Sequence, residues 1–219
     1  MSPPESEPLT LGEPSGHGEA SGAPGLPPYD KGAFRQIGER MKYAGDRLSV
    51  VVGTFVGPDG FTFEREIVRT FDAVCVVPLE ADGEHVLLVR QYRSPVDQGL
   101  LELPAGKLDI AGEPPELCAA RELNEEVGAE AERFVELGHF FISPGFCDEQ
   151  STCFLADGLK PGTRAADGIE EEHIVIERVA LSALEELMAA GEIVDAKTIV
   201  GLYLARSYLA ATRPSVQPV

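Results

Sequence analysis

The chain has 219 residues, of which 43% are apolar, as expected for one globular domain with a small appendage. Its formal net charge of −19 repels nucleic acids and anionic membranes, so binding to either is disfavoured. No apolar run approaches the roughly 20 residues that a membrane span needs. The four cysteines form no CxxC pair, which is typical of reduced thiols in a cytoplasmic protein.

Residues 1–30 differ in composition from the rest of the chain. Proline, glycine and serine supply 16 of these 30 residues, and lysine and arginine are absent. Such a segment buries too little apolar surface to offset its chain entropy, which predicts a disordered leader, with a functional tail as the alternative. A short flexible tail is predicted over residues 213–219.

Residues 31–72 are predicted to form a β-rich segment. Two strand candidates, 48–55 and 61–68, flank the Gly-Pro-Asp-Gly turn at 57–60, a pattern that predicts a hairpin. Residues 31–43 are ambiguous. Because an isolated hairpin is marginally stable in water, we expect this segment to pack on the main domain or on a second subunit.

The main domain is predicted over residues 73–212, with strands on either side of one central helix. Apolar runs at 73–78 and 85–90 predict a hairpin, and further strands are predicted at 100–103, 138–142, 151–155 and 173–179. A capping box, Ser182 to Glu185, predicts a helix to Ala190, and residues 195–211 predict a longer one with Ile199, Leu202 and Tyr203 near one face. The order predicts an α+β fold, an α/β/α sandwich of a mixed sheet with helices on both faces.

The central helix, residues 114–127, carries an unusual group of charges. Glu122, Glu125 and Glu126 follow an i, i+3, i+4 spacing and share one face. Like charges at this spacing destabilise a helix, and its C-terminal end disfavours anions. A hard divalent cation relieves that conflict, and a solvated acidic face is the alternative. The apolar positions fall on the opposite side: Leu117, Ala120, Leu123 and Val127.

The stretch from Gly106 to Ala129 resembles the Nudix box, G-x5-E-x7-R-E-U-x-E-E-x-G-U, in which U is a bulky apolar residue. Six residues, one more than the pattern has, separate Gly106 from Glu113, and Ala129 is smaller than the usual last residue. From Glu113 onward the spacing matches. The matching positions are Gly106, Glu113, Arg121, Glu122, Leu123, Glu125, Glu126 and Gly128.

The resemblance to the Nudix hydrolase family implies a role for each matched position. It assigns Mg²⁺, with Mn²⁺ as a possible substitute, to a ligand set of three glutamates and one backbone carbonyl. It makes Glu113 and Arg121 an orienting salt bridge, for which a plain surface ion pair is the alternative. Gly106 permits a tight loop and Gly128 ends the helix. The implied ligands are Glu122, Glu125, Glu126 and the carbonyl of Ala105.

Segments outside the box resemble the branch of that family that cleaves ADP-ribose and nucleotide sugars. The resemblance spans about residues 47–206 and is carried by residues 64–68, 89–93 and 101–106 and by Pro144, which lies 15 residues after Ala129. It implies that Arg65 and Arg93 bind phosphate or the terminal ribose, with surface charges as the alternative. It also places Glu102, Gly106 and Phe146 at the substrate.

The implied reaction is the hydrolysis of ADP-ribose to AMP and ribose 5-phosphate by metal-activated water. Glu149, on the loop 143–150, is the implied base; Glu126 is the second candidate, and a solvated loop acid is the alternative for Glu149. The branch also implies a domain-swapped homodimer in which Arg65 reaches the partner's site. The alternatives are a diphosphatase for another nucleotide sugar, such as GDP-mannose, and a regulatory Nudix domain that binds ADP-ribose without hydrolysis. No histidine lies in a ligand-like cluster in the sequence, so no zinc site is expected.

Overall fold

The computed structural model of the chain describes residues 34–164 and 169–212. The leader predicted over residues 1–30 and the tail predicted over residues 213–219 lie outside the described residues. The boundary predicted between residues 72 and 73 stays a prediction. Within the described part of the chain, no helix is both long enough and apolar enough to cross a membrane.

The N-terminal segment forms a three-stranded antiparallel sheet of β1 (Arg35–Ala44), β2 (Leu48–Val56) and β3 (Thr62–Thr70). Strands β2 and β3 are the predicted hairpin, closed at its turn by a hydrogen bond from the Gly60 N–H to the Gly57 carbonyl at 3.0 Å. The described part of the ambiguous segment lies largely in β1, and all ten residues of β1 are exposed. Within this single chain, strand β1 is therefore exposed to solvent.

The centre of the molecule is a mixed four-stranded sheet in the order β7–β4–β10–β9. Strand β4 runs parallel to β10 and antiparallel to β7. Every residue of β4 is buried, and its side chains alternate between two apolar cores, as in a sheet that is covered on both faces. The strands are β4 (Ala73–Pro78), β7 (Ala105–Lys107), β9 (Arg133–Phe141) and β10 (Gln150–Asp157).

A second, antiparallel sheet has the order β12–β5–β6, and a two-stranded sheet pairs β8 with β11. The prediction of a hairpin between 73–78 and 85–90 is wrong, because β4 and β5 belong to different sheets and share only the bridge between Leu79 and Val86. Both edges of β4 are already occupied by β7 and β10, so β5 has no place beside it. These strands are β5 (His85–Arg93), β6 (Gln98–Glu102), β8 (Ala129–Glu130), β11 (Lys160–Pro161) and β12 (Val175–Ala180).

Helices cover both faces of the central sheet, as predicted. One core lies between the sheet and α4 (Ala196–Thr212), and the other lies between the sheet and α1 (Pro115–Glu122). Shorter helices follow β11 and β12. They are α2 (Ile169–Glu172), the 3₁₀ turn Leu181–Ala183 and α3 (Leu184–Ala189).

The central helix differs from its prediction in two ways. It is not α-helical throughout, because residues Leu123–Val127 form a π-helical turn. Leu117, predicted to be buried, is 60% exposed, whereas Cys118 and Ala119 are fully buried. The buried face of the helix is shifted from the predicted one toward the glutamates. Glu122 and Glu126 are therefore buried together with Leu123 and Val127. The apolar and acidic faces are therefore neighbours and not opposites.

Two details of the C-terminal helices also differ from the predictions. Ser182 forms no capping box, since the chain there is a 3₁₀ turn and α3 begins at Leu184 without a side-chain cap. Tyr203 is exposed, and α4 instead buries Thr198, Gly201, Leu202 and Ala205. A Cβ atom at Gly201 would lie 2.5 Å from Leu103 and 3.0 Å from Cys153, so the absence of a side chain at this position lets the helix approach the sheet closely.

Candidate active site

The side chain of Glu122, on helix α1, packs directly against Gly106 of strand β7. A Cβ atom at this position would lie 1.9 Å from the carboxyl carbon of Glu122, a distance that no side chain tolerates. Gly106 is therefore required by the close approach of the strand to the helix. The extra residue before Glu113 lies in a turn, in which the Glu113 N–H donates to the Ile110 carbonyl at 3.0 Å, so the insertion leaves this approach intact.

Two of the three helix carboxylates are buried. Glu122 is 7% exposed and Glu126 is 3% exposed, while Glu125 is partly exposed. Burial, together with their mutual repulsion, raises the pKa of Glu122 to about 7 and that of Glu126 to about 8. The N–H of Ala105 donates to Glu126 Oε2 at 3.1 Å and partly offsets this effect. Arg121 forms an ion pair with Glu122, whereas Glu126 has no ion pair within the described residues, so the protein offsets the charge of this pair only in part.

Arg121 connects the carboxylate face to Glu113. Its Nε and Nη2 bind the two oxygens of Glu113 at 3.1 and 3.0 Å, and the same contact lowers the pKa of Glu113. Its Nη1 donates to Glu122 at 2.6 Å and to Glu125 at 3.0 Å. A bidentate pair on one edge fixes the guanidinium plane, and the other edge then fixes the two glutamates. This geometry suits the orienting role predicted for Glu113 and Arg121.

Arg93 and Glu102 lie beside the carboxylate face and bind each other. Arg93 Nε and Nη2 donate to the two oxygens of Glu102 at 2.9 and 2.8 Å, and Lys197 also donates to Glu102. Burial pushes the pKa of Glu102 upward, but Arg93 and Lys197 more than offset this, and its pKa is lowered. The charge of Glu126 acts on Arg93 as well, which places this arginine next to the helix glutamates.

The loop 143–150 reaches the site through Glu149. Its Oε1 lies 2.8 Å from Lys107 Nζ, and Lys107 stands next to Gly106 on β7. The loop is closed by a hydrogen bond from the Ile142 N–H to the Glu149 carbonyl at 3.1 Å. Glu149 therefore forms an ion pair with Lys107, the residue that follows Gly106 on β7.

Arg65, Pro144 and Phe146 lie in a different place, along a cleft of about 400 Å³ between β3 and the same loop. Arg65 stacks over the Phe63 ring at 4.7 Å and donates to the Glu64 carbonyl at 2.8 Å. Phe146 is exposed, and its carbonyl accepts from the Val68 N–H at 2.8 Å. The predicted residues thus form two groups, and the loop 143–150 belongs to both.

A divalent cation fits the first group. Its donor set is three carboxylates on adjacent turns, two of them buried and mutually repelling, and hard cations such as Mg²⁺ prefer oxygen ligands of this kind. Glu122, Glu125 and Glu126 would hold the ion. The N–H of Ala105 binds Glu126, and a ligand role for its carbonyl stays a prediction.

A sequence profile of the NUDIX domain family matches residues 69–199. The chain belongs to the Nudix domain family. This confirms the family prediction, and the match covers β4 to the first turns of α4, including every residue of the Nudix box.

Individual Nudix proteins are similar over most of the chain. An ADP-ribose pyrophosphatase of Bacillus subtilis (strain 168) is 34% identical over 75% of this chain and 88% of its own length. One of Mycobacterium tuberculosis (strain ATCC 25618 / H37Rv) is 39% identical over 66% of this chain and 70% of its own. A GDP-mannose pyrophosphatase of Shigella flexneri is 31% identical over 67% of this chain and 80% of its own.

A solved structure has a similar fold. The crystal structure of an ADP compounds hydrolase superposes with a TM-score of 0.72 at 21% identity, over 82% of this chain and 95% of that one. This confirms the predicted α/β/α sandwich.

Glu171, at the end of a segment that sequence analysis did not consider, also acts on the Nudix box. Its charge raises the pKa of both Glu122 and Glu126, so its carboxylate lies near them. Lys197 lies in the predicted helix 195–211, but it was not predicted to be a site residue. The signal available for Glu171 was the acidic run 170–172. That run alone is indistinguishable from a solvated surface.

His85 departs from the expectation that no histidine lies in a ligand-like cluster. Its ring and the carboxylates of Glu80 and Asp82 come within 4.8 Å of one another at the turn before β5. Arg178 forms ion pairs with both carboxylates, so a cation of the protein already offsets part of the negative charge of this group.

Proposed function

We propose that this Nudix protein hydrolyses the diphosphate bond of ADP-ribose, giving AMP and ribose 5-phosphate, with Mg²⁺ as its cofactor and Mn²⁺ as a substitute. The observation that carries the proposal is the pair Glu122 and Glu126, buried next to each other with raised pKa values and bordered by Arg93. The names of the two ADP-ribose pyrophosphatases that resemble the chain support the substrate.

In this proposal the carboxylates bind the metal cation, and an arginine binds the substrate phosphate. When bound, a hard divalent cation supplies the positive charge that a diphosphate needs at so acidic a surface. Glu122, Glu125 and Glu126 hold the cation, and Arg121 holds the glutamates in place. Arg93 binds a phosphate oxygen through the edge that Glu102 does not occupy.

A carboxylate must accept a proton from the attacking water. Glu149 is the first candidate, because the loop 143–150 carries it to the end of β7 beside Lys107. Glu126 is the second candidate, and its hydrogen bond from Ala105 fixes its position. Glu171 is a third, since its charge acts on both buried glutamates. Conversion of each to glutamine identifies the base by the loss of the acidic limb of the pH–rate profile, where the rate rises as the base deprotonates.

Two alternatives remain for the substrate and the role. A GDP-mannose diphosphatase is supported by similarity to the Shigella flexneri enzyme, at lower identity than the ADP-ribose pyrophosphatases show. A regulatory domain that binds ADP-ribose without hydrolysis is disfavoured, because all three glutamates of the box are present.

We further propose that the protein is a cytoplasmic, domain-swapped homodimer. Strand β1 is exposed along its length and carries the apolar side chains of Ile37, Met41 and Tyr43. Arg65 lies on β3 of the same sheet and is exposed, and in such a dimer it would reach the partner's site. A molar mass of one chain in light scattering, at concentrations at which the protein is active, would refute the dimer.

A panel of diphosphates with Mg²⁺ tests the activity. ADP-ribose, GDP-mannose and a nucleoside triphosphate are incubated with the wild type, Glu126→Gln and the matched control Glu116→Gln, which changes an exposed glutamate of the same helix. We expect AMP and ribose 5-phosphate from the wild type and the control only. No hydrolysis of any compound overturns the enzyme, and GDP-mannose cleaved far ahead of ADP-ribose overturns the substrate.

A further inference from the structure

Glu102 is buried, and protein cations bind its carboxylate. Its side chain is 1% exposed, and both of its oxygens are engaged: Oε1 by Arg93, and Oε2 by Arg93 and Lys197. A contact with ribose hydroxyls or an adenine amine, as the family resemblance implied for this residue, would require breaking a bidentate ion pair away from water. Losing such a partner is costly, because it leaves buried charge unpaired.

The same contacts determine the direction of Arg93. Its Nε and Nη2 are fixed on Glu102, and a two-point contact sets the plane of a guanidinium group. The third nitrogen, Nη1, makes no hydrogen bond within residues 34–164 and 169–212. The side chain is 36% exposed, so this edge remains accessible to a ligand.

Lys197 and its neighbours fix Glu102 from the start of α4. Lys197 is 3.0 Å from Asp195, and Asp195 accepts from the N–H and the hydroxyl of Thr198 at 2.9 and 2.6 Å. The hydroxyl of Thr198 in turn accepts from the Leu103 N–H at 2.9 Å. The helix start therefore binds two successive residues of the chain, Glu102 and Leu103, just before the Nudix box begins.

The charges of this group balance. Arg93 and Lys197 carry two positive charges, and Glu102 and Asp195 carry two negative ones, so the buried cluster is neutral. Without Lys197 its net charge would be negative, next to glutamates that are already mutually repelling. Lys197 thus offsets Glu102 and preserves the positive potential of Arg93 toward an anionic ligand.

We infer that Glu102 and Lys197 are positioning residues, which hold the Arg93 guanidinium against the carboxylate face so that its Nη1 edge binds a phosphate oxygen of the substrate. The inference rests on the proposed function, since it takes the diphosphate as the ligand. Neither residue touches substrate, and both act through Arg93.

A double-mutant cycle tests this dependence. The variants are Arg93→Gln, Glu102→Gln, Lys197→Gln and the two combinations with Arg93→Gln, and kcat and KM are measured separately with ADP-ribose. We expect each single variant to lose about 10- to 100-fold in kcat/KM, as for one charged hydrogen bond. Each combination should lose no more than Arg93→Gln alone, because nothing is left for Glu102 or Lys197 to position. Losses that multiply would overturn the inference and assign Glu102 to the substrate.

Two further variants separate positioning from general stability. Lys197→Arg keeps the charge and should recover most of the activity that Lys197→Gln loses. Lys160→Gln, which breaks an exposed ion pair with Glu132, should change nothing. If Glu102→Gln does not fold, the cycle of Lys197→Gln with Arg93→Gln decides the question. Equal activity of Lys197→Gln and the wild type would contradict the role of Lys197.

Failure of the inference is distinguishable from failure of the proposed function. The cycle is repeated by calorimetry with an ADP-ribose analogue in which a methylene group replaces the bridging oxygen, so that no turnover is needed. A wild type that hydrolyses nothing overturns the function, whereas the binding cycle still decides the positioning. Analogue affinity that is unaffected by Arg93→Gln overturns the inference.

Discussion

Two buried glutamates, Glu102 and Glu126, both interact with Arg93, but their pKa values are shifted in opposite directions. Glu126 is 3% exposed and its pKa is raised to about 8, whereas Glu102 is 1% exposed and its pKa is lowered. Burial by itself raises the pKa of both carboxyl groups. Glu102 is bound by Arg93 and Lys197, while Glu126 has one backbone N–H and lies near two other carboxylates, Glu122 and Glu171.

The comparison separates a buried carboxylate that protein cations already neutralise, Glu102, from one that still needs an external cation, Glu126. A buried carboxylate with protein cations on both oxygens has a structural or positioning role. A buried carboxylate among other carboxylates stores unfavourable energy that only protonation or an external cation removes. The predictions below test this contrast, from the largest expected effect to the smallest.

The largest effect is expected from Glu126→Gln. The substitution removes a cation ligand and one candidate base, and we expect kcat/KM to fall on the order of 10³-fold. The metal-free protein should not lose stability, because an amide relieves the burial of charge. Steady-state kinetics and thermal unfolding at pH 8 measure the two effects. A large loss of stability without a loss of activity would mean that Glu126 has a structural role and holds no cation.

The next largest effect is expected from Gly106→Ala. Its Cβ would lie 1.9 Å from the Glu122 carboxyl carbon, so β7 or the glutamate must move. A displaced Glu122 should cost about 10- to 100-fold in activity, as for other disturbed ligand geometry. Gly145→Ala is the control, since a Cβ at that position meets no atom within 4 Å. Full activity of Gly106→Ala would show that the close approach has no functional role.

A smaller effect is expected from Arg121→Lys. Lysine keeps the charge but loses the fork that holds Glu113 on one edge and Glu122 and Glu125 on the other. We expect about a tenfold loss of activity, with a higher Mg²⁺ concentration at half-maximal rate. Glu113→Gln should show the same change in Mg²⁺ dependence. A loss of rate at unchanged Mg²⁺ dependence would contradict the orienting role.

The smallest effect is on stability and depends on pH. The folded pKa values of Glu122 and Glu126 exceed the ordinary value, so between that value and about pH 8 the folded state holds more protons than the unfolded state. The stability of metal-free protein should therefore fall as pH rises across this window and then level off. Thermal unfolding at pH 5.5, 7 and 8.5 measures it, with Glu126→Gln as the flatter control.

The sequence was sufficient to predict the glutamates of the helix, but not the partners that neutralise Glu102. The spacing of Glu122, Glu125 and Glu126 was sufficient to place the three carboxylates together, because a helix repeats every 3.6 residues. It did not show that Leu117 is exposed or that the last turn is π-helical, since burial depends on the neighbouring sheet. The partners of Glu102 were beyond reach, because Lys197 lies 95 residues away and meets it only in the folded chain.

The fold was predicted well where the pattern is local and poorly where it depends on pairing. The β2–β3 hairpin has turn residues and strands that adjoin in sequence, and it forms as predicted. The β4–β5 pair had equally good local signals, but β10, from far along the chain, occupies the edge of β4. Such competition between partners is not visible from one segment alone.

The most direct test of the contrast is a Mn²⁺ titration followed by the electron paramagnetic resonance of the free ion, on the wild type, Glu126→Gln and Glu116→Gln at pH 8. The account predicts that the wild type and Glu116→Gln bind the ion with equal affinity, and that Glu126→Gln binds it at least about tenfold more weakly. Equal binding by all three proteins, or no binding by the wild type, would contradict the assignment of the buried glutamates to a cation.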